Sequence, residues 1–232
     1  TIYKDSTGTS LHKRGYRNKI HRAMLNESLA AGLIMLSNWN KSDPFYDLMC
    51  GSGTLPIEAA LMAYNIAPGL LRENFAFQKW EDYNSQLFTT LQTKAQNNIK
   101  INPDIQIYGF DIAFQNIAIS LSSVKSINLD HVIKFKKQDI KDFAPNSKNG
   151  IIMINPPYGE RLRQSEDELS TLYQLIGDIF KNKCADFDAY VFTSNLQAAK
   201  SIGLKSKLRI PLKNGKLDCR LLHYPIKEGQ FK

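Results

Sequence analysis

The chain has 232 residues, 43% hydrophobic and 22% charged, a globular mixture that excludes collagen, coiled coil and disordered tail and leaves one large domain or two small ones. No run reaches the ~18 apolar residues of a membrane span, and the N-terminus is too polar for a secretory signal. Thirty Lys+Arg against 22 Asp+Glu give a net charge of +8, compatible with a polyanionic partner. The three cysteines (Cys50, Cys184, Cys219) form neither a disulfide framework nor a zinc pattern, which points to the cytoplasm and to no metal. The chain opens at Thr1, and the expectation is that an N-terminal part precedes it.

In chain order, residues 1–17 alternate around a Ser-Thr-Gly turn at 6–8, which predicts a small hairpin. The acid-free run from His12 to Arg22 carries Lys13, Arg14 and Arg17 with Tyr16 interleaved. It reads either as an RNA contact with a stacking tyrosine or as a solvated linker. Leu25, Leu29, Leu33 and Leu36 recur at helical spacing and predict a helix from Ile20 to Trp39. A strand over 44–48 then meets a glycine-rich turn that opens a helix through Ile57, Ala60 and Leu61. Segment 65–83 has no clear period and reads as an excursion. A helix over 84–100, a strand over 105–110, a helix over 113–127 and strands over 132–135 and 151–154 follow. A helix over 165–182, a strand over 189–193 and a short helix near 197–202 come next. Two strand-like runs, 207–212 and 217–224, flank Asn214-Gly215, a hairpin turn signal. Alternating strands and helices closed by a hairpin predict an α/β fold with a mostly parallel sheet.

In such a sheet, ligands sit beyond the carboxyl ends of the strands. Three strand ends carry polar residues. The first is Asp47-Leu48-Met49-Cys50-Gly51-Ser52-Gly53-Thr54, whose glycines permit close backbone approach and whose helix start offers free N–H groups. No Gly-Lys-Ser/Thr follows, so it is not a nucleoside-triphosphate loop, and Pro56 replaces the third glycine of a dinucleotide fingerprint. The second is Asp111, suited to ribose hydroxyls if the 65–100 region is an insertion between strands. The third is Gln138-Asp139-Ile140, placed for an adenine amino group. Asp111 and Asp139 would equally serve as helix-capping acids.

Asn155-Pro156-Pro157-Tyr158 ends an apolar strand. Its prolines stiffen the turn and fix where the Asn155 amide and the Pro156 carbonyl point, two acceptors suited to an exocyclic amine. Tyr158 offers a face for a flipped-out or single-stranded base. The same residues would also serve as a strand stop with a structural tyrosine.

Together, the Asp47–Thr54 loop, Gly-Phe-Asp111-Ile112 and Asn155-Pro-Pro-Tyr-Gly-Glu-Arg-Leu162 resemble S-adenosylmethionine-dependent amino-methyltransferases. The closer likeness is to THUMP-associated RNA methyltransferases, especially those acting on guanine N2 of large-subunit (23S) ribosomal RNA. Leu11–Arg17 resembles that family's stretch between the THUMP and catalytic domains. Ala67–Leu70, Arg72 and Phe75–Trp80 resemble its inserted segment. The likeness covers roughly 10–162; Met24 stands where the family usually has proline, and its usual Asn after the motif acid is not evident near Ser122 and Ser123.

The resemblance implies a Rossmann-like class I methyltransferase with a seven-stranded, mostly parallel sheet and a C-terminal antiparallel hairpin. Residues 1–18 would be a linker or hairpin from a preceding THUMP-type domain and 19–232 the catalytic domain. S-adenosyl-L-methionine would be held by Asp47, Cys50, Gly51, Ser52, Gly53, Thr54, Asp111, Ile112, Asp139, Ile140 and Asn155. Asn155, Pro156 and Tyr158 would be catalytic, and Lys13, Arg14, Tyr16 and Arg17 would meet ribosomal RNA. Rival readings are a tRNA guanine-N2 methyltransferase, a nucleic-acid adenine-N6 or protein glutamine methyltransferase, and an inactive RNA-binding module.

Overall fold

The computed structural model describes residues 1–17, 25–101, 104–158 and 165–229. Its strands are β1 (Phe45–Asp47), β2 (Ile107–Asp111), β3 (Ile133–Lys137), β4 (Gly150–Ile154), β5 (Phe187–Thr193), β6 (Leu208–Asn214) and β7 (Leu217–Pro225). They form one seven-stranded sheet in the order β3-β2-β1-β4-β5-β7-β6. The first five pair parallel, whereas β7 runs antiparallel to both β5 and β6. This is the mostly parallel sheet with a terminal hairpin that the sequence predicts.

β1, β2 and β4 are buried at every position, as strands covered by helices on both faces must be. Their side chains alternate between two cores. Phe45, Ile107 and Ile151 pack with α1 (Glu27–Leu36) and α2 (Thr54–Ala63). Tyr46, Tyr108 and Ile152 pack on the other face with α5 (Glu166–Lys183) and α6 (Leu196–Lys200). The helix α4 (Phe114–Ser126) follows β2.

α1 begins later than expected. The Asn26 side chain accepts a hydrogen bond from the Leu29 N–H and caps it, so Leu25 precedes the helix. Residues 18–24, with the start of the expected helix, Met24 and the end of the basic run, lie outside the described residues, as do Gly159–Leu162.

Segment 65–101 is an insertion that adds no strand to the sheet. It holds two short 3-10 turns and α3 (Ser85–Asn97), which buries no residue of its own. Phe75 and Phe77 stack at 5.3 Å and meet Phe88, giving the segment a small aromatic core that helical or strand periodicity does not register. Because the insertion lies off the sheet, β1 and β2 remain parallel neighbours, with Asp47 in register with Gly109.

The predicted N-terminal hairpin does not form: residues 1–17 contain no strand. Asp5 accepts hydrogen bonds from the Thr7 and Gly8 N–H groups and makes a tight turn. Arg72 of the insertion donates to the carbonyls of Thr7, Thr9, Ser10 and Lys13, which removes them from cross-strand pairing. Among the described residues no helix is long and apolar enough to cross a membrane, and no group of three or more His, Cys, Asp or Glu side chains is placed to hold a metal.

Candidate functional site

The carboxyl ends of β1, β2 and β4 open on one cleft of about 650 Å³, within the range of small-molecule sites. The sheet order changes direction there, since β1 has β2 on one side and β4 on the other. Asp47, Cys50, Gly51, Ser52, Thr54, Asp111, Ile112, Asp139, Ile140, Asn155, Pro156 and Tyr158 all line it, so residues spread over a hundred positions meet at one place.

The glycine turn is fixed from outside. The Cys50 N–H donates to the Phe110 carbonyl at 2.8 Å and the Gly51 N–H to Asp111 Oδ2 at 2.9 Å. Gly51 adopts φ +54° and Gly53 φ +79°, the left-handed region that favours glycine. Gly53 departs from expectation: it is not among the lining residues, and a Cβ on it would lie 2.8 Å from Phe135 and 2.9 Å from Ser120 Oγ. Its position requires glycine for packing and turn geometry.

Asp111 accepts from the N–H of Ala113 at 2.8 Å and from Asn116 Nδ2 at 3.0 Å as well. Asn116 lines the cleft from the first turn of α4. Asp47 is 1% exposed and accepts from the Met49 N–H. Burial, with Asp111 nearby, pushes its carboxyl well above the ordinary carboxylate range. No salt bridge to a cation satisfies either acid among the described residues. Asp139 caps the 3-10 turn over 140–142 by accepting from the Lys141 N–H, and this bond holds its carboxyl low. It therefore performs the capping role while also lining the cleft.

Past β4, the Tyr158 hydroxyl donates to Asn155 Oδ1, which orients the amide. Burial pushes the Tyr158 phenol far up, so it stays protonated and acts as a donor. Tyr173 of α5 donates to the Pro157 carbonyl, and Asn195 Nδ2 donates to the Tyr158 carbonyl. Asn214 and Leu217, on either side of the β6–β7 turn, line the cleft beside Tyr158. The Asn-Gly pair signals that turn in the sequence, but its arrival at the cleft depends on the sheet order.

Three of the four residues expected to meet RNA are turned inward. Tyr16 is fully buried and its hydroxyl donates to Glu58, leaving no face for a base, which overturns its stacking role. Arg14 Nε pairs with the same Glu58 carboxylate at 3.1 Å. Arg17 reaches Glu27 at 3.3 Å and donates to the Leu25 carbonyl and to Thr54 Oγ1. These guanidiniums are drawn inward because Glu27 and Glu58 are buried and need cations. Of the four residues named for RNA, Lys13 alone is exposed.

With this geometry, the family model described as "RMKL-like, methyltransferase domain" (UPF0020) matches residues 14–223. The chain belongs to this family. The proteins it resembles are longer. Ribosomal RNA large subunit methyltransferase K/L of Psychromonas ingrahamii is 38% identical over 231 residues, covering 97% of this chain and 31% of that protein. SMU.472, solved in complex with SAH, superposes with a TM-score of 0.91 at 34% identity, covering 97% of this chain and 58% of that one. A Listeria monocytogenes structure named a predicted N6-adenine-specific DNA methylase superposes with a TM-score of 0.84 at 35% identity, covering 96% and 57%. The chain spans 58% and 31% of the length of the first two curated relatives it matches.

Proposed function

We propose that this domain transfers a methyl group from S-adenosyl-L-methionine to the exocyclic N2 amine of a guanine in 23S ribosomal RNA. The observation that carries the reading is the meeting, in one cleft, of two buried carboxylates without cation partners and the Asn155–Tyr158 tetrapeptide. The large-subunit K/L relatives favour ribosomal RNA as the substrate class. Residues 19–232 make up the catalytic domain in this reading and 1–18 the linker leading to it.

The cleft fits the cofactor. Asp47, desolvated and lacking a cation, suits the ammonium of the methionine end, and the free N–H groups at the start of α2 suit its carboxylate. Cys50, Gly51, Ser52 and Thr54 line that end. Asp111 accepts twice at Oδ1 and once at Oδ2, which leaves one lone pair on Oδ2 for a ribose hydroxyl, with Ile112 and Ile140 flanking the nucleoside and Asp139 facing its amino group. When bound, S-adenosylmethionine supplies an electrophilic methyl on a positively charged sulfur.

The chain's own part is orientation. Asn155 Oδ1, already held by Tyr158, has a second lone pair for the target amine, and the Pro156 carbonyl is a further acceptor beside it. Holding the amine through its hydrogens leaves its nitrogen lone pair directed at the methyl, and such positioning accounts for much of the rate. Tyr158, kept neutral, supplies a face for the base and cannot act as the base in proton transfer. None of Asn155, Pro156 and Tyr158 is a carboxylate or an imidazole, so the proton leaves through water. Incubation with methyl-labelled cofactor and protein-free ribosomal RNA, DNA or a protein extract tests the reading. Label confined to RNA supports it, and label in DNA or protein alone overturns it.

A further inference from the structure

Arg14, Tyr16 and Arg17 of the N-terminal run are turned inward, which directs the search for an RNA-facing positive surface to other described residues. Residues 200–216 contain Lys200, Lys205, Lys207, Arg209, Lys213 and Lys216 and no acid. All six are exposed. Lys213 pairs with Asp218 at 2.7 Å in a solvent-open bridge; the other five have no carboxylate partner among the described residues. This is a denser run of free cations than residues 12–17 offer.

Its geometry is ordered. β6 is an outer strand of the sheet, and the Lys207 N–H donates to the His223 carbonyl, extending the β6–β7 ladder by one residue. Side chains alternate along a strand, so Lys207, Arg209 and Lys213 share one face, about 6.8 Å between every second residue. Pro211, between Arg209 and Lys213, faces Arg220 of β7 in the same row. The row closes at the β6–β7 turn, where Lys216 lies exposed; Asn214, on the opposite face by the same alternation, lines the cleft together with Leu217.

We propose that the outward face of β6, continued by Lys216 at the turn, is the track for the RNA phosphates flanking the target base, leading that base past Asn214 to Asn155 and Tyr158. The inference rests on the RNA reading given above. The other role for such residues is protective, since cations and a proline on an outer strand block pairing with another chain. The opposite outer strand, β3, has the exposed cations Lys134, Lys136 and Lys137, but its end reaches the cleft at Gln138–Ile140, the residues assigned to the cofactor's nucleoside rather than to the target base, which makes it a charge-matched control.

The test compares the full chain with two variants of equal charge loss, K207Q/R209Q/K216Q and K134Q/K136Q/K137Q. Binding of a labelled single-stranded RNA oligonucleotide is followed by anisotropy across a salt series, with calorimetric titration of S-adenosylhomocysteine as the check on folding. Removing three phosphate contacts should flatten the log–log salt slope by about two units in the β6 variant. The β3 variant should keep the wild-type slope. An unchanged slope in the β6 variant, or an equal loss in the β3 variant, overturns the track. Wild-type methylation of RNA together with an unchanged β6 slope sinks the track alone, whereas a wild type that neither binds nor methylates RNA sinks the RNA reading and the track with it.

Discussion

Arg17 separates an RNA contact from a structural tie. Its guanidinium lies 3.3 Å from Glu27, with the two side chains 16% and 4% exposed, and it donates at 2.6 Å to both the Leu25 carbonyl and Thr54 Oγ1. Arg17→Met keeps much of the side-chain volume and removes the charge, leaving the Glu27 carboxylate buried without that partner. Breaking a buried pair from one side costs about 3–5 kcal/mol, and the partial exposure of Arg17 places this site near about 3. For a chain of this size that lowers Tm by roughly 6–12 °C, at roughly 2–4 °C per kcal/mol. Urea unfolding should show a lower midpoint at unchanged m, and adding Glu27→Leu should restore part of the loss, since the two residues are coupled. A midpoint within about 0.5 kcal/mol of wild type, together with a weaker salt dependence of RNA binding, would refute the tie and return Arg17 to the RNA surface.

The cleft residues give three further predictions. Asp47 has a raised folded-state pKa, so its contribution to stability is fullest below the unfolded value near 3.8 and is lost as pH rises through the folded value. Asp47→Asn should therefore raise the Tm of the cofactor-free protein at neutral pH while weakening cofactor binding; a Tm–pH curve identical to wild type would contradict this. Asp111→Ala should weaken S-adenosylhomocysteine binding by about 1.5–3 kcal/mol in calorimetric titration, and wild-type affinity would remove the ribose assignment. Asn155→Ala should slow single-turnover methyl transfer by about 10²-fold at nearly normal cofactor Kd; parallel collapse of both would make Asn155 structural.

Much of the architecture was legible because burial writes a local pattern. The apolar runs of β2 and β4, the alternation into helices and the Asn214-Gly215 turn each carry their own signal. The strand-end acids and the tetrapeptide were legible as parts of one site for the same reason: each follows a strand. What stayed hidden depends on distant partners. A row of arginines looks the same whether solvated or paired, and only the fold brings Glu27 and Glu58 beneath Arg17 and Arg14. The packing need for glycine at 53 was hidden because Phe135 and Ser120, which press against it, are distant in sequence. Asn214 enters the cleft because β7 inserts antiparallel beside β5, which no local pattern announces.

The central claim is tested most directly by nucleoside mass analysis of protein-free 23S ribosomal RNA after incubation with the domain and S-adenosylmethionine. The account predicts N2-methylguanosine, reduced by about 10²-fold in initial rate with Asn155→Ala. N6-methyladenosine without N2-methylguanosine would contradict the substrate assignment, and the absence of any methylated nucleoside from RNA, with cofactor bound normally, would contradict the reading of the Asn155–Tyr158 pocket as a base-amine site.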